Sequence, residues 1–177
     1  GVTCYDKLLI QEAAKKSGMD EKVLEQEDER LTNLLLPFSG NAFADEADMA
    51  GMFYSAGENA YSAEKQTILS IADRESAVII GRCADYILRE RTDARVLSVF
   101  VTAPMEACIR RKMEQKNITE KEAEALIKKV NKDRRKYYEF HTGKDWSDPE
   151  SYDIYLGSSR QSMEEMTEVL VKRFNEL

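Results

Sequence analysis

The sequence predicts a three-layer α/β fold, a parallel sheet with helices on both faces, and three observations carry that expectation. Residues 77–81 (AVIIG) are a short continuous apolar run, the pattern of a strand buried on both faces, and 96–101 (VLSVFV) are a second candidate for such a strand. Helical patterns follow each of these runs, so strand and helix alternate. The chain of 177 residues suffices for a single domain whose core needs neither disulfide nor metal.

The elements follow in order. Residues 2–5 (VTCY) read as a short strand. Residues 6–17 read as an amphipathic helix with Asp6 as its N-cap, Gly18 as its stop, and Leu8, Leu9, Ala13 and Ala14 near one face. A second short helix is expected over 20–29. In 31–60, Pro37, Gly40, Gly51 and Gly57 interrupt Met49, Met52, Phe53 and Tyr54, which predicts an irregular or broken-helical insertion able to close over a ligand. Helix is expected at 61–75, strand at 77–81, helix at 84–91 and strand at 96–101. Pro104 opens a helix over 105–116. Thr119 with Glu122 marks a capping box before a long helix, 120–139. Gly143 and Pro149 break the chain, and 152–156 (YDIYL) reads as the last strand. Ser162 with Glu165 is a second capping box, opening a helix over 163–176.

Composition excludes several function classes. Hydrophobic residues make up 42% and charged residues 33%, which is globular rather than disordered. No apolar run is long enough to span a membrane, and the start lacks the layout of a signal peptide. Cys4, Cys83 and Cys108 are odd in number and far apart, so neither a disulfide framework nor a zinc knuckle is expected, and a reducing cytoplasm is the simplest home. His141 is the single histidine, which leaves a Ser-His-Asp hydrolase or a multi-histidine metal site little to work with. The net charge of −7 argues against general nucleic-acid binding. Yet residues 128–144 hold seven Lys or Arg against two Asp or Glu, a net of +5 that leaves −12 for the remainder. Such a basic island suggests a local anion site.

Ligands of open parallel sheets bind beyond the carboxyl ends of the strands. That places attention on Tyr5-Asp6, Gly81-Arg82 with Asp85, 102–104, and 157–160. Arg82, directly after an apolar strand, offers a bidentate fork for phosphate; the bland alternative is an Arg82–Asp85 pair joining strand to helix. Asp6 is equally a simple helix cap. Arg110 and Arg111 are adjacent on a helix, so at most one faces a ligand and both fit a solvated surface. Arg134 and Arg135 lie in the basic island, where cations could surround a phosphoryl group or merely face water. Tyr137, Tyr138, Phe140 and Trp146 could stack a base but suit packing better. Cys83 beside Arg82 could be reactive, though a buried, inert thiol suits it better. His141 lacks an evident carboxylate to orient it as a general base.

Taken together, VIIGRCADYILRER (78–91), VFVTAPMEACIRRKMEQ (99–115), KKVNKDRRKYYEFHTGKDW (128–146) and YDIYLGSSR (152–160) resemble the cytidylate-kinase-like family, a branch of the P-loop nucleoside and nucleotide kinases. YDKLLIQEAA (5–14) resembles that family's segment after its second strand. The resemblance covers nearly the whole chain, and GRCADY with SSR, in order and spacing, is its most specific part.

The resemblance implies a sheet order of 2-3-1-4-5 and transfer of the γ-phosphoryl of ATP, with Mg²⁺, to a nucleoside monophosphate, most simply a pyrimidine of CMP type. Arg82 matches the arginine that contacts the acceptor phosphate. Asp6 falls near a segment touching the acceptor nucleoside. Asp85 is a weaker acceptor-site match, since the family's aspartate directly follows the arginine and Cys83 stands there. Arg110 or Arg111 matches a donor-side or lid-hinge arginine, and Arg134 and Arg135 match the lid arginines. Gly157, Ser158 and Ser159 fall near the donor adenine pocket. The chain is then one kinase-like domain over 1–177, with 31–60 as acceptor-binding insertion and 128–146 as basic lid. Its expected partner is a small-molecule nucleotide, with neither nucleic acid nor membrane; a homodimer is left open.

One family element is missing. No G-x-x-x-x-G-K-[ST] phosphate loop or similar glycine cluster occurs in 1–177. The strands read above would be numbers 2, 3, 4 and 5, and the central strand 1 should lie between 77–81 and 96–101. An unfilled gap there would leave unpaired backbone groups, so about 25 further residues are expected before Gly1, by analogy with βαβ unit size. Direct pairing of 77–81 with 96–101 would contradict this. Two other classes stay open: a non-catalytic nucleotide-binding or regulatory protein without a phosphate loop, and an anion- or RNA-binding module using 128–144. A kinase for another small-molecule acceptor is a variant of the first reading.

Overall fold

The computed structural model describes residues 1–22, 24, 44–159 and 161–177, with only the backbone over 44–57. It is a mixed α/β structure with six α-helices and two small parallel sheets among the described residues. The chain forms two compact units, Gly1–Arg89 with Lys136–Gly143, and Glu90–Arg135 with Lys144–Leu177.

In the first unit, β1 (Thr3–Tyr5) pairs in parallel with β2 (Ala77–Ile79), Thr3 opposite Ala77 and Tyr5 opposite Ile79. The Ile80 amide continues the ladder to the Tyr5 carbonyl at 2.9 Å. Between these strands run α1 (Lys7–Ser17) and α2 (Ala44–Arg74). Gly18 stops α1 in the left-handed conformation, φ 72°, and its amide bonds the Ala14 carbonyl. Leu9, Ile10, Ala13 and Ala14 form the buried face of α1, whereas Leu8 is exposed, so Ile10 replaces it in the expected stripe. Asp6 precedes α1 but its side chain caps nothing.

The largest correction concerns the insertion. Residues 44–74 form one continuous helix of 31 residues, running through Gly51 and Gly57 and absorbing the separate helix read at 61–75. A glycine costs a helix interior about 1 kcal/mol, too little to break one supported on either side. Residues 25–43, which hold the rest of the insertion and half of the second short helix, lie outside the described residues. A network at the end of α2 fastens it to the sheet. Glu75 accepts from the Tyr5 hydroxyl at 2.8 Å, and Arg74 reaches Glu75, Tyr5 and Glu12. The short α3 (Ala84–Leu88) ends three residues before the expected boundary.

In the second unit, β3 (Val99–Thr102) pairs in parallel with β4 (Ile154–Gly157), in register from Val99–Ile154 to Thr102–Gly157. Asp153 starts the ladder by accepting from both the Ser98 amide and hydroxyl at 2.8 Å. Phe100 stacks on Tyr155 with ring centroids 4.8 Å apart and meets Trp146 edge-on at 5.1 Å. The Tyr152 hydroxyl ties to the Trp146 carbonyl at 2.7 Å. Trp146 therefore packs a sheet. The helices are α4 (Met105–Lys116), α5 (Glu120–Thr142, with 136–142 in the first unit) and α6 (Met163–Asn175). Pro104 stands just before α4 rather than in its first turn. Both capping boxes form: Thr119 and Glu122 bond reciprocally, as do Ser162 and Glu165.

Burial on both strand faces is not observed. Val78, Ile80 and Val101 are each more than half exposed. Among the described residues, β2 pairs with β1 and β3 with β4, and 77–81 does not pair with 96–101.

Candidate functional site

The parallel pairing of β1 and β2 brings two expected positions to one sheet edge. Asp6 follows β1 and Gly81-Arg82 follows β2, both at the carboxyl end. There the chain makes an unusual turn. Gly81, Arg82 and Cys83 are consecutive left-handed residues, with φ of 73°, 57° and 55°. Glycine adopts this at no steric cost, but Arg82 and Cys83 are strained by it, on the order of 1–3 kcal/mol each. The turn is closed by the Ala84 amide on the Gly81 carbonyl, 3.1 Å, and leads directly into α3. Cys83 is buried, as an inert thiol would be.

The turn directs Arg82 onto Glu64 of α2. Arg82 Nη1 donates to Glu64 Oε1 in a close ion pair. The Glu64 side chain is 2% exposed and that of Arg82 is 16% exposed. The other oxygen, Oε2, accepts from the Tyr137 hydroxyl on α5 at 2.8 Å. Burial pushes the Glu64 carboxyl above the usual carboxylate range, opposed by the Arg82 guanidinium and then by the two hydrogen bonds. Asp85, in the first turn of α3, accepts from the Tyr138 hydroxyl at 2.6 Å. Tyr137 and Tyr138, read as packing residues, thus each bind a carboxylate.

Aromatic rings floor this cluster. His141 stacks on Tyr61 with centroids 3.9 Å apart and meets Tyr137 edge-on at 4.6 Å. Its Nε2 is buried with no hydrogen-bond partner among the described residues, and burial lowers its pKa to about 4. The ring is neutral at pH 7, and no carboxylate among the described residues is bonded to it to orient it as a base. Burial likewise pushes the Tyr61 hydroxyl up to about 12.

In the second unit, Gly157 and Ser158 lie at the carboxyl ends of β3 and β4. The Ser158 amide and hydroxyl both donate to the Thr102 carbonyl, at 2.8 and 3.2 Å. Ser159 follows in the same turn. Arg110 and Arg111 are both exposed on α4, and Arg134 and Arg135 are both exposed on α5. The described residues therefore gather Asp6, Arg82 and Asp85 at one sheet edge and Gly157 and Ser158 at another. Arg110, Arg111, Arg134 and Arg135 stand on helix surfaces. Among the described residues no three or more His, Cys, Asp or Glu come together as a metal site would need.

Glu64 and Tyr61 were not singled out from sequence. Glu64 did leave a signal: Ala60, Glu64, Thr67, Ile68 and Ile71 share one helix face, and all are buried. A carboxylate in the middle of such a stripe requires a cationic partner.

No curated protein matches the chain. A crystal structure of an uncharacterized protein from Eubacterium ventriosum is similar to it, with 25% identity and a TM-score of 0.69 over 99% of this chain and 85% of that one. The model of the cytidylate kinase-like family matches residues 1–160, through β1, the Arg82 turn and β4, and the chain belongs to that family.

Proposed function

We propose that the protein is a nucleotide kinase that transfers the γ-phosphoryl of ATP to a nucleoside monophosphate, a pyrimidine of CMP type being the first acceptor to test. The observation that carries this reading is Arg82, placed at the carboxyl end of β2 by a strained turn and braced by a buried carboxylate. A guanidinium so fixed is suited to bind an acceptor phosphate. Asp6 and Asp85 at the same edge would contact the acceptor nucleoside. Arg134 and Arg135 would neutralise the phosphates in transfer, and Arg110 or Arg111 with Gly157, Ser158 and Ser159 would serve the donor. Mg²⁺ would arrive with the donor phosphates, and no residue of 1–177 is assigned to it.

The phosphate loop that holds the donor in such kinases would come from chain outside 1–177, on a central strand completing the order 2-3-1-4-5. Two features support this. Each two-stranded sheet leaves an edge without a strand among the described residues, and Val78 on β2, Ile80 just after it and Val101 on β3 are exposed in segments whose sequence is that of a buried sheet. The solved relative also has chain beyond the matched 85%. A single domain with 31–60 over the acceptor and 128–146 as lid completes the proposal. Cys4, Cys83 and Cys108, widely spaced in the chain, suit a reducing cytoplasm, and no helix among the described residues is long and apolar enough to cross a membrane.

The test is a panel of nucleoside monophosphates with Mg-ATP and the full-length protein. CMP should be phosphorylated, and Arg134→Ala or Arg135→Ala should lower kcat about a hundredfold. Binding of a nucleoside monophosphate without turnover of any would favour the non-catalytic alternative.

A further inference from the structure

We infer that Glu64 is a positioning residue for phosphate recognition: through its two carboxylate oxygens it fixes the Arg82 guanidinium on one side and the Tyr137 hydroxyl on the other. The inference rests on the acceptor role proposed for Arg82, and extends it to a residue on a different helix.

Three features of the geometry support it. Glu64 is too deeply buried to serve as a surface ion pair, so it is held in one place by its surroundings. Its oxygens are divided, Oε1 to Arg82 and Oε2 to Tyr137, so neither partner can move without disturbing the other. The Arg82 backbone is fixed independently by the left-handed turn, and the pair closes the side chain onto that anchor. A guanidinium carries five N–H donors in a rigid fork, and the ion pair through Nη1 orients the whole plane. Misplacing such a group by about 1 Å can cost a hundredfold in a bound reaction. The same logic explains why a carboxylate stands among the buried residues Ala60, Thr67, Ile68 and Ile71. Leucine could not orient the fork.

The test compares Kd values for CMP and cytidine, whose difference reports the phosphate alone, in the full-length protein and in Arg82→Gln, Glu64→Gln and Tyr137→Phe. In the unmodified protein CMP should bind at least a hundredfold more tightly than cytidine, and Arg82→Gln should abolish that preference. Glu64→Gln keeps the shape of the side chain but loses its charge, and should shrink the preference at least tenfold while cytidine affinity stays within twofold. Tyr137→Phe should shrink it about threefold. A preference that survives Arg82→Gln overturns the acceptor role of Arg82, and this inference with it. A preference lost in Arg82→Gln but kept within twofold in Glu64→Gln overturns the positioning role alone. Should Glu64→Gln fail to fold, Tyr137→Phe decides: an unchanged preference overturns the inference. A purely structural Glu64 would weaken CMP and cytidine alike.

Discussion

Arg82 and the arginines of the basic island sit in opposite surroundings. Arg82 is held against a carboxylate that is 2% exposed, whereas Arg134 and Arg135 are exposed on α5. An arginine side chain carries about 2 kcal/mol of rotamer entropy. Arg82 gives up that freedom when the protein folds, so it meets a ligand already oriented. Exposed arginines give it up only when they bind. The first arrangement suits recognition of a fixed group; the second suits a group that closes over a reaction and then leaves. The difference also falls on stability, because a buried pair can harm the fold if halved and a solvated side chain cannot.

Breaking the pair should produce the largest effect. Glu64→Ala leaves the Arg82 guanidinium without its carboxylate and should cost about 3–5 kcal/mol in urea unfolding, whereas Arg134→Ala should stay within about 0.5 kcal/mol. Equal losses would erase the contrast. Replacing both partners, Glu64→Leu with Arg82→Met, should recover most of the loss, since apolar residues tolerate burial where a lone charge does not.

The turn before Arg82 sharpens the comparison further. Gly81 has open space where a Cβ would stand, so the cost of Gly81→Ala is conformational alone. It should destabilise by about 1–2 kcal/mol, measured by thermal unfolding. An unchanged Tm would show that the turn does not need its left-handed start.

The smallest effect is expected from His141. Its folded pKa, lowered to about 4, lies below the unfolded value of about 6.5, so the unfolded state binds the proton first. Its contribution to stability is therefore complete above pH 6.5 and is lost as pH falls toward 4. With solvent screening of a half-buried ring the loss should be on the order of 1 kcal/mol. His141→Phe should remove that part of the acid sensitivity; identical pH profiles would sink the assignment.

Features written in adjacent residues were the most legible. Both capping boxes and the Gly18 stop are local bonding patterns, and each forms as read. The four strands were legible for the same reason, and they pair in parallel as expected. Their exposed faces were not, because an apolar run says what a strand prefers to touch and not what covers it. The unbroken α2 was hidden by Gly51 and Gly57, whose propensity cost is real but outweighed. At the site, Arg82 and Asp85 were legible from their position after a strand. The positive φ of Arg82 and Cys83 was not, since nothing in an Arg-Cys pair announces a conformation that side chains disfavour. Glu64 was legible only as a charge on an apolar face, and its partner lies 18 residues away.

The parallel pairings have a consequence for the order of events in folding. Thr3 meets Ala77 and Val99 meets Ile154, so each sheet closes a loop of about 74 or 55 residues before its first ladder bond forms. Closure entropy rises only logarithmically, so the two differ by a few tenths of a kcal/mol and neither has a head start. Helices, whose bonds are local, form in microseconds, while long-range parallel pairing is intrinsically slow. Until it is complete, apolar strand segments such as 77–81 and 96–101 stay open to neighbouring chains. The interval between helix formation and strand pairing is when this protein is most prone to aggregate.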